Sequence, residues 1–202
     1  MKISKIISCI IIIGVLTVLC TACEKSKSGE PNKIEQHIID EFAKRGVSPG
    51  MSEEEVMAIE EIEFTLDSTL SYITADGTAK YFYSEDYVDY EGQKAILKYT
   101  FINDALCYIE YEIPVEYPAS EISSEPAYSL YLDLSINYTE LLGSPDNSGY
   151  NDYSLFEQYS NSWGNEETDY YIHLLVSQSK YRSFADDYSD AVHMYFAMNP
   201  EE

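Results

Sequence analysis

The side chains that could do chemistry are few and scattered. Three histidines are present, His37, His173 and His193. His173 stands in "YYIHLLV" and His193 in "AVHMYFAM", each alternating with apolar residues on the opposite strand face. If those strands are neighbours, both imidazoles share a polar face with Tyr171 and Tyr195, and together with a carboxylate they could hold zinc. No close-spaced ligand motif accompanies them, so neither metal nor cofactor is expected. "DNSGYNDYSLFE" runs from Asp146 to Glu157 at the span of a calcium loop, but Asn151 stands where the turn needs glycine and Tyr150 where a ligand is needed. With 36 acidic residues no pair can be singled out as a glycosidase dyad. There is no nucleophile elbow, phosphate-binding glycine loop or zinc-protease helix. Cys107 lies in "ALCYIEYEI", where alternation groups Ala105, Cys107, Ile109, Tyr111 and Ile113, the setting of a buried, inert thiol. No catalytic residue is expected.

The remaining cysteines cluster near the N-terminus. Lys2 and Lys5 precede an apolar run from Ile6 to Leu19, short for a membrane span of ~20 residues and laid out as a secretory signal. The run closes on "VLTVLCTAC". This stretch resembles a bacterial lipoprotein signal, in which a small residue precedes the cysteine that is lipidated and at which the chain is cut. Ala22 precedes Cys23, whereas bulky Leu19 precedes Cys20. Cys23 is therefore the expected lipidation site, with residues 1–22 as signal peptide and 23–31 as lipidated cysteine and flexible tether. An uncleaved anchor is the alternative. Both place the remainder at the cell membrane, on its extracytoplasmic face.

Cutting before Cys23 leaves 180 residues and removes two lysines but no acid, so the net charge moves from −24 to −26. Such a chain is repelled by nucleic acid and by anionic headgroups, which leaves the lipid to hold it at the membrane. Stable attachment takes more than one acyl chain, and the lipoprotein resemblance implies a multiply acylated cysteine.

The elements that must position any site follow from periodicity. Ile34, Ile38 and Phe42 mark a helix that Gly46 stops. "SPGMSEEEVMAIEEIEF" restarts it, with Ser52 and Glu55 as a capping box and an apolar face of Val56, Ile59 and Ile62. All 20 tyrosines then lie at or after Tyr72, where strand formers take over. Hairpins are expected around Asp76-Gly77 and Asn103-Asp104, with the acidic "SEDYVDYEG" as a loop between them. A proline- and serine-rich connection, residues 114–126, leads to a helix from about Pro126 to Leu142 with a stripe of Leu130, Leu134, Tyr138 and Leu141. After the loop "SPDNSGYNDY", strands are expected around 156–163, 170–176 and 191–198. The expected class is α+β: a helix pair plus antiparallel sheet, then a further helix and antiparallel strands. It occupies residues 32–202, with 32–113 and 126–198 as two possible halves.

"GMSEEEV" at 50–56, "LLGSPD" at 141–146 and the hairpin "YTFINDALCYIEYEI" are similar to segments of the lipoprotein group that includes the outer-membrane assembly factor BamE and the β-lactamase inhibitor protein. The resemblance implies a helix pair packed on a curved antiparallel sheet, and a non-enzymatic role in which the exposed sheet face binds a protein of the cell envelope. That face would present Lys98, Thr100, Tyr108 and Glu110, with Tyr171, His173 and Tyr195 completing the candidate partner-binding set. Without the resemblance, the same positions read as ordinary solvent-facing strand residues. The leading expectation is a lipid-anchored adaptor or inhibitor. A cell-surface module for a small ligand or glycan, stacking on tyrosines, is the second, and an acidic surface hydrolase the third.

Overall fold

The computed structural model describes residues 32–74, 77–115, 125–154, 156–165, 170–179 and 190–198. The signal peptide, Cys23, the tether, and most of the connection after Pro114 lie outside the described residues.

Helix α1 (Lys33–Lys44) buries Ile38 and Phe42, and Gly46 ends it in the left-handed region at φ 74°. Helix α2 (Glu53–Ile59) begins with the capping box: Ser52 Oγ accepts from the Glu55 backbone, and Glu55 reaches back to the Ser52 amide. It stops at Ile59 rather than running on to Ile62, because residues 64–66 leave to pair in the sheet. Helix α3 (Glu125–Leu142) buries Ala127, Tyr131, Leu134 and Tyr138, while Leu141, expected in its core stripe, is half exposed. Gly143 closes α3 at φ 98°, and its carbonyl accepts from Trp163 Nε1 at 2.8 Å, which ties the helix end to the sheet.

The strands are β1 (Phe64–Leu66), β2 (Tyr72–Thr74), β3 (Gly77–Ser84), β4 (Val88–Tyr90), β5 (Gln93–Ile102), β6 (Ala105–Pro114), β7 (Asn147–Asp152), β8 (Phe156–Asn165), β9 (Tyr170–Ser179) and β10 (Ala191–Met198). All ten join one antiparallel sheet in the order β1-β3-β5-β6-β10-β9-β8-β7, with β2 on β3 and β4 on β5. The α+β expectation is thereby corrected. A single sheet dominates the fold, and the two strand groups do not stand apart behind a leading helix pair. The physical cause is the pairing of β6 with β10, which welds the meander from the first half to the meander from the second. Segments expected as loops also join it: "SEDYVDYEG" supplies β4, and "SPDNSGYNDY" supplies β7.

Two hairpin turns show why the chain reverses where it does. Asn103 and Asp104 both adopt positive φ, 53° and 67°, the conformation whose twist matches the flanking strands. Glu91 and Gly92 do the same at 52° and 77°, closing the β4–β5 hairpin. Register slips once, between Thr100 and Phe101, so that Phe101 faces Leu106 while Thr100 faces Tyr108. Cys107 is the extra residue of this β-bulge, and Leu106 takes the place on the core face that strict alternation assigns to Cys107. Ala105, grouped by alternation with Ile109, instead pairs with half-exposed Ile102.

One sheet face carries Leu97, Tyr99 and Phe101, then Ile109, Tyr111 and Ile113, then Val192, Met194 and Phe196, then Ile172, Leu174 and Val176, all buried with the helix residues. Hydroxyls caught in this core are paired: Tyr90 and Tyr138 share a hydrogen bond of 2.6 Å, and His37 Nε2 lies 3.3 Å from the Tyr138 hydroxyl. The opposite face carries the site.

Candidate functional site

On the face away from the helices, period-two alternation leaves Tyr108, Glu110 and Glu112 on β6. Antiparallel register then lines up rows across neighbouring strands. One row runs Tyr83, Lys98, Glu110, Tyr195, His173. The next runs Tyr81, Thr100, Tyr108, Ala197, Tyr171. A third holds Glu112, His193 and Leu175. The seven residues picked out from the sequence, Lys98, Thr100, Tyr108, Glu110, Tyr171, His173 and Tyr195, thus fall in two adjacent rows although they come from four strands.

The charged centre is a network. Glu110 Oε1 accepts from Lys98 Nζ at 3.2 Å and faces His193 Nδ1 at 2.8 Å, and Lys98 also reaches Glu112. That histidine nitrogen meets a carboxylate, so it carries the proton. Glu110 is 15% exposed. Its burial pushes the carboxyl pKa up, but the His193 hydrogen bond and the Lys98 charge outweigh it and hold the group below the usual carboxylate range. Lys98 moves the other way: burial lowers its pKa, and the charges and hydrogen bonds of Glu110 and Glu112 raise it by more. Tyr195 is shifted well upward, by burial first and then by the two glutamates, with Glu110 as its hydrogen-bond partner. Burial, and then the nearby His193, lowers His173. At neutral pH Glu110 is therefore a carboxylate and Lys98 an ammonium, beside a neutral His173 and a neutral phenol.

Aromatic rings surround it. His193 stacks on Tyr195 with centroids 6.0 Å apart, and His173 lies 5.9 Å from the same ring. Tyr108 and Tyr171 meet edge to face at 6.3 Å, across the strand where Ala197 offers no competing side chain. Between these rings lies a depression of about 400 Å³ lined by Tyr81, Tyr108, Glu110, Tyr171, His173 and Tyr195 among others. A second hollow of about 270 Å³ adjoins it on the Lys98 and His193 side, reaching Asp67 and Tyr83.

The two histidines do lie on one face of adjacent strands, each against the Tyr195 ring, and among the described residues they do not fall together in one group of three donors. The donors that do converge are Glu110, Glu112 and His193, whose ligand atoms lie within 4.8 Å of one another. Lys98 already bridges both carboxylates, so these acids are neutralised by an ammonium of the chain itself. Asp146 and Glu157 are likewise committed elsewhere. Asp146 accepts from the Gly164 amide at 2.7 Å, and Glu157 accepts from Tyr150, Tyr159 and Gln178 across a β-hairpin. Cys107 is buried, donates to the Ala105 carbonyl at 3.2 Å, and is held protonated by burial.

Sequence reasoning did not select Tyr81, Tyr83 or Glu112, and weighed His193 only as a metal ligand. The spacing of Tyr108, Glu110 and Glu112 two residues apart is the signal that could have found Glu112. Tyr81 and Tyr83 join through the β3–β5 register, which no local pattern shows.

No protein-family model, no curated protein and no solved structure matches this chain. The resemblance to the lipoprotein group draws no support from these comparisons, so the site stands on its own geometry.

Proposed function

We propose that this chain is a lipid-anchored extracytoplasmic lipoprotein that binds another protein, without catalysis, through the polar face of its sheet. The observation that carries the reading is the breadth of that face: aromatic and charged side chains aligned in rows from β3 to β9 around a shallow depression. Tyrosines with few rotors make contact area at small entropic cost, and a rim of satisfied charges gives register. The anchor rests on Cys23, and among the described residues no helix is long and apolar enough to cross a membrane. The likeness of "GMSEEEV" and "LLGSPD" to the lipoprotein group points the same way.

A photocrosslinking residue at Tyr83, in the full-length protein in its native membrane, tests the reading. One envelope protein should be captured, at lower yield from a Cys23→Ala form that is released from the membrane. Capture from α3 position Glu140 but not from Tyr83 would move the contact to the helices and overturn it. A small-ligand reading is favoured by one observation, the volume of the depression, which lies in the range of ligand pockets. In that case the Tyr83 probe captures no protein, and the soluble domain binds a glycan.

A further inference from the structure

The depression itself restricts what a partner can insert. Among the described residues, its lining includes Glu110 as the one formally charged side chain, no lysine or arginine, and four tyrosines: Tyr81, Tyr108, Tyr171 and Tyr195. Lys98 and His193 approach Glu110 from the adjoining hollow, not from the depression. The carboxylate of Glu110 thus faces the depression among tyrosine rings and His173, whose pKa burial lowers, while its cationic partner Lys98 lies on the other side. The whole chain adds to the carboxylate's potential with a net charge of −24. An anionic group would meet this field unpaired. A purely apolar one would cover the buried carboxylate without a new partner for it. A cation is attracted by the carboxylate and by the negative faces of the tyrosine rings together.

We infer that the depression receives a cationic side chain, the guanidinium of an arginine or the ammonium of a lysine, presented by a basic segment of the protein partner. Charge complementarity on the page selects this occupant, and the inference rests on the reading of the polar face as the contact surface. A planar guanidinium suits the arrangement well, since it can stack on a tyrosine ring while its edge points at Glu110.

The probe is a dye-labelled, end-capped Gly-Ser peptide carrying two arginines, with a twin in which both are citrulline. Citrulline keeps the shape and removes the charge. Fluorescence anisotropy with the full-length lipoprotein in detergent micelles gives the affinity. The arginine peptide should bind, and the citrulline twin should bind at least about tenfold more weakly, equivalent to about 1.4 kcal/mol. Glu110→Gln and Tyr171→Ala should each weaken the arginine peptide several-fold. Glu140→Gln, an exposed acid on α3, removes the same charge elsewhere and should change nothing.

Equal losses from Glu110→Gln and Glu140→Gln would show only diffuse attraction to an acidic protein and overturn the inference. So would equal binding of the citrulline twin, or no binding of either peptide. The reading beneath fails separately: if the Tyr83 crosslink captures a partner whose attached segment lacks lysine and arginine, the face stands as a contact surface and the cationic occupant does not. If it captures none, the reading of the face as a protein contact surface falls, and the cationic occupant with it.

Discussion

Each of the central strands β6 and β10 shows two chemistries back to back. Toward the helices, Ile109, Tyr111 and Ile113 of β6 meet Phe196 and Met194 of β10 in a close-packed core. Away from them, Glu110 and Glu112 of the same β6 meet Tyr195 and His193 of the same β10 in a network of charges and rings. The first face is held chiefly by area removed from water and by packing, which carry no titrating charge of their own. The second is held by mutual neutralisation, which depends on every member being present. One face should therefore report its damage as lost stability, and the other chiefly as lost binding and altered pH response.

The largest effect should come from setting neighbours on β10 against each other. Phe196 is fully buried, with ring contacts to His37, Tyr90, Tyr111 and Tyr138. Phe196→Ala is expected to cost about 3–5 kcal/mol, read as a lowered urea midpoint. Tyr195→Ala, one residue away on the other face, should cost less than half as much. Equal costs would mean that the polar face is a second core, and the contrast would be gone.

Next in size is the removal of one charge from the network. Lys98→Met leaves Glu110 and Glu112 facing each other without the ammonium, at an expected cost of about 1–2 kcal/mol because Lys98 remains partly exposed. The loss should depend on pH in a fixed direction. Glu110 is held below its ordinary value of 4.5 in the folded chain, so its contribution is present above that pH and disappears as pH falls through the lower, folded value. Urea midpoints of wild type and Lys98→Met should accordingly differ at pH 7 and converge as pH falls below 4.5. A gap that stays constant would assign the effect to lost packing of the lysine stem.

Such contrasts also mark what could be read from the chain alone. The cap at Ser52, the stop at Gly46, the turn at Asn103-Asp104 and the face shared by Lys98, Thr100, Tyr108 and Glu110 are local patterns, and local patterns survive folding. The weld of β6 to β10 is not local: Ala191 pairs with Pro114 across most of the second half, and nothing in either segment names the other. The bulge at Cys107 is invisible for a related reason, since alternation assumes a register that Thr100 and Phe101 interrupt. The strands β4 and β7 were hidden by acidic and small residues, which pair at sheet margins only because a longer neighbour offers them a template. His173 and His193 share a face, as alternation implied, but which side chains their rings meet depends on the register of β10 with β6 and β9, which no local pattern shows.

A smaller effect tests whether the two faces are independent. The capping box of α2 is solvent-exposed and lies on the helix side of the fold. Ser52→Ala should lower stability by about 1 kcal/mol, measured by urea unfolding, and leave capture by the Tyr83 probe unchanged. If capture fails as well, the helix layer shapes the polar face through the contacts of Met51 and Gly50 with Leu106 on β6, and the faces cannot be treated apart.

The smallest effect concerns the one chemistry that both faces share. His37 sits among the helices and His173 on the polar face, yet burial depresses both below the ordinary 6.5. With folded values lowered, the unfolded chain takes up protons first as pH drops. Stability is then full above 6.5 and is lost as pH falls from there toward the folded values. Thermal midpoints should decline between pH 7.5 and pH 5.5, and His173→Gln should make that decline shallower without removing it. His37→Gln should do the same, and because the two rings lie on opposite faces their effects should add in the double variant. His173 has a second imidazole, His193, as a depressing neighbour, whereas the charged neighbours of His37 include Glu41, which opposes the shift. His173→Gln should therefore flatten the decline more. The reverse order would mean that the helix-covered core, and not the network around Glu110, sets the response of this protein to acid.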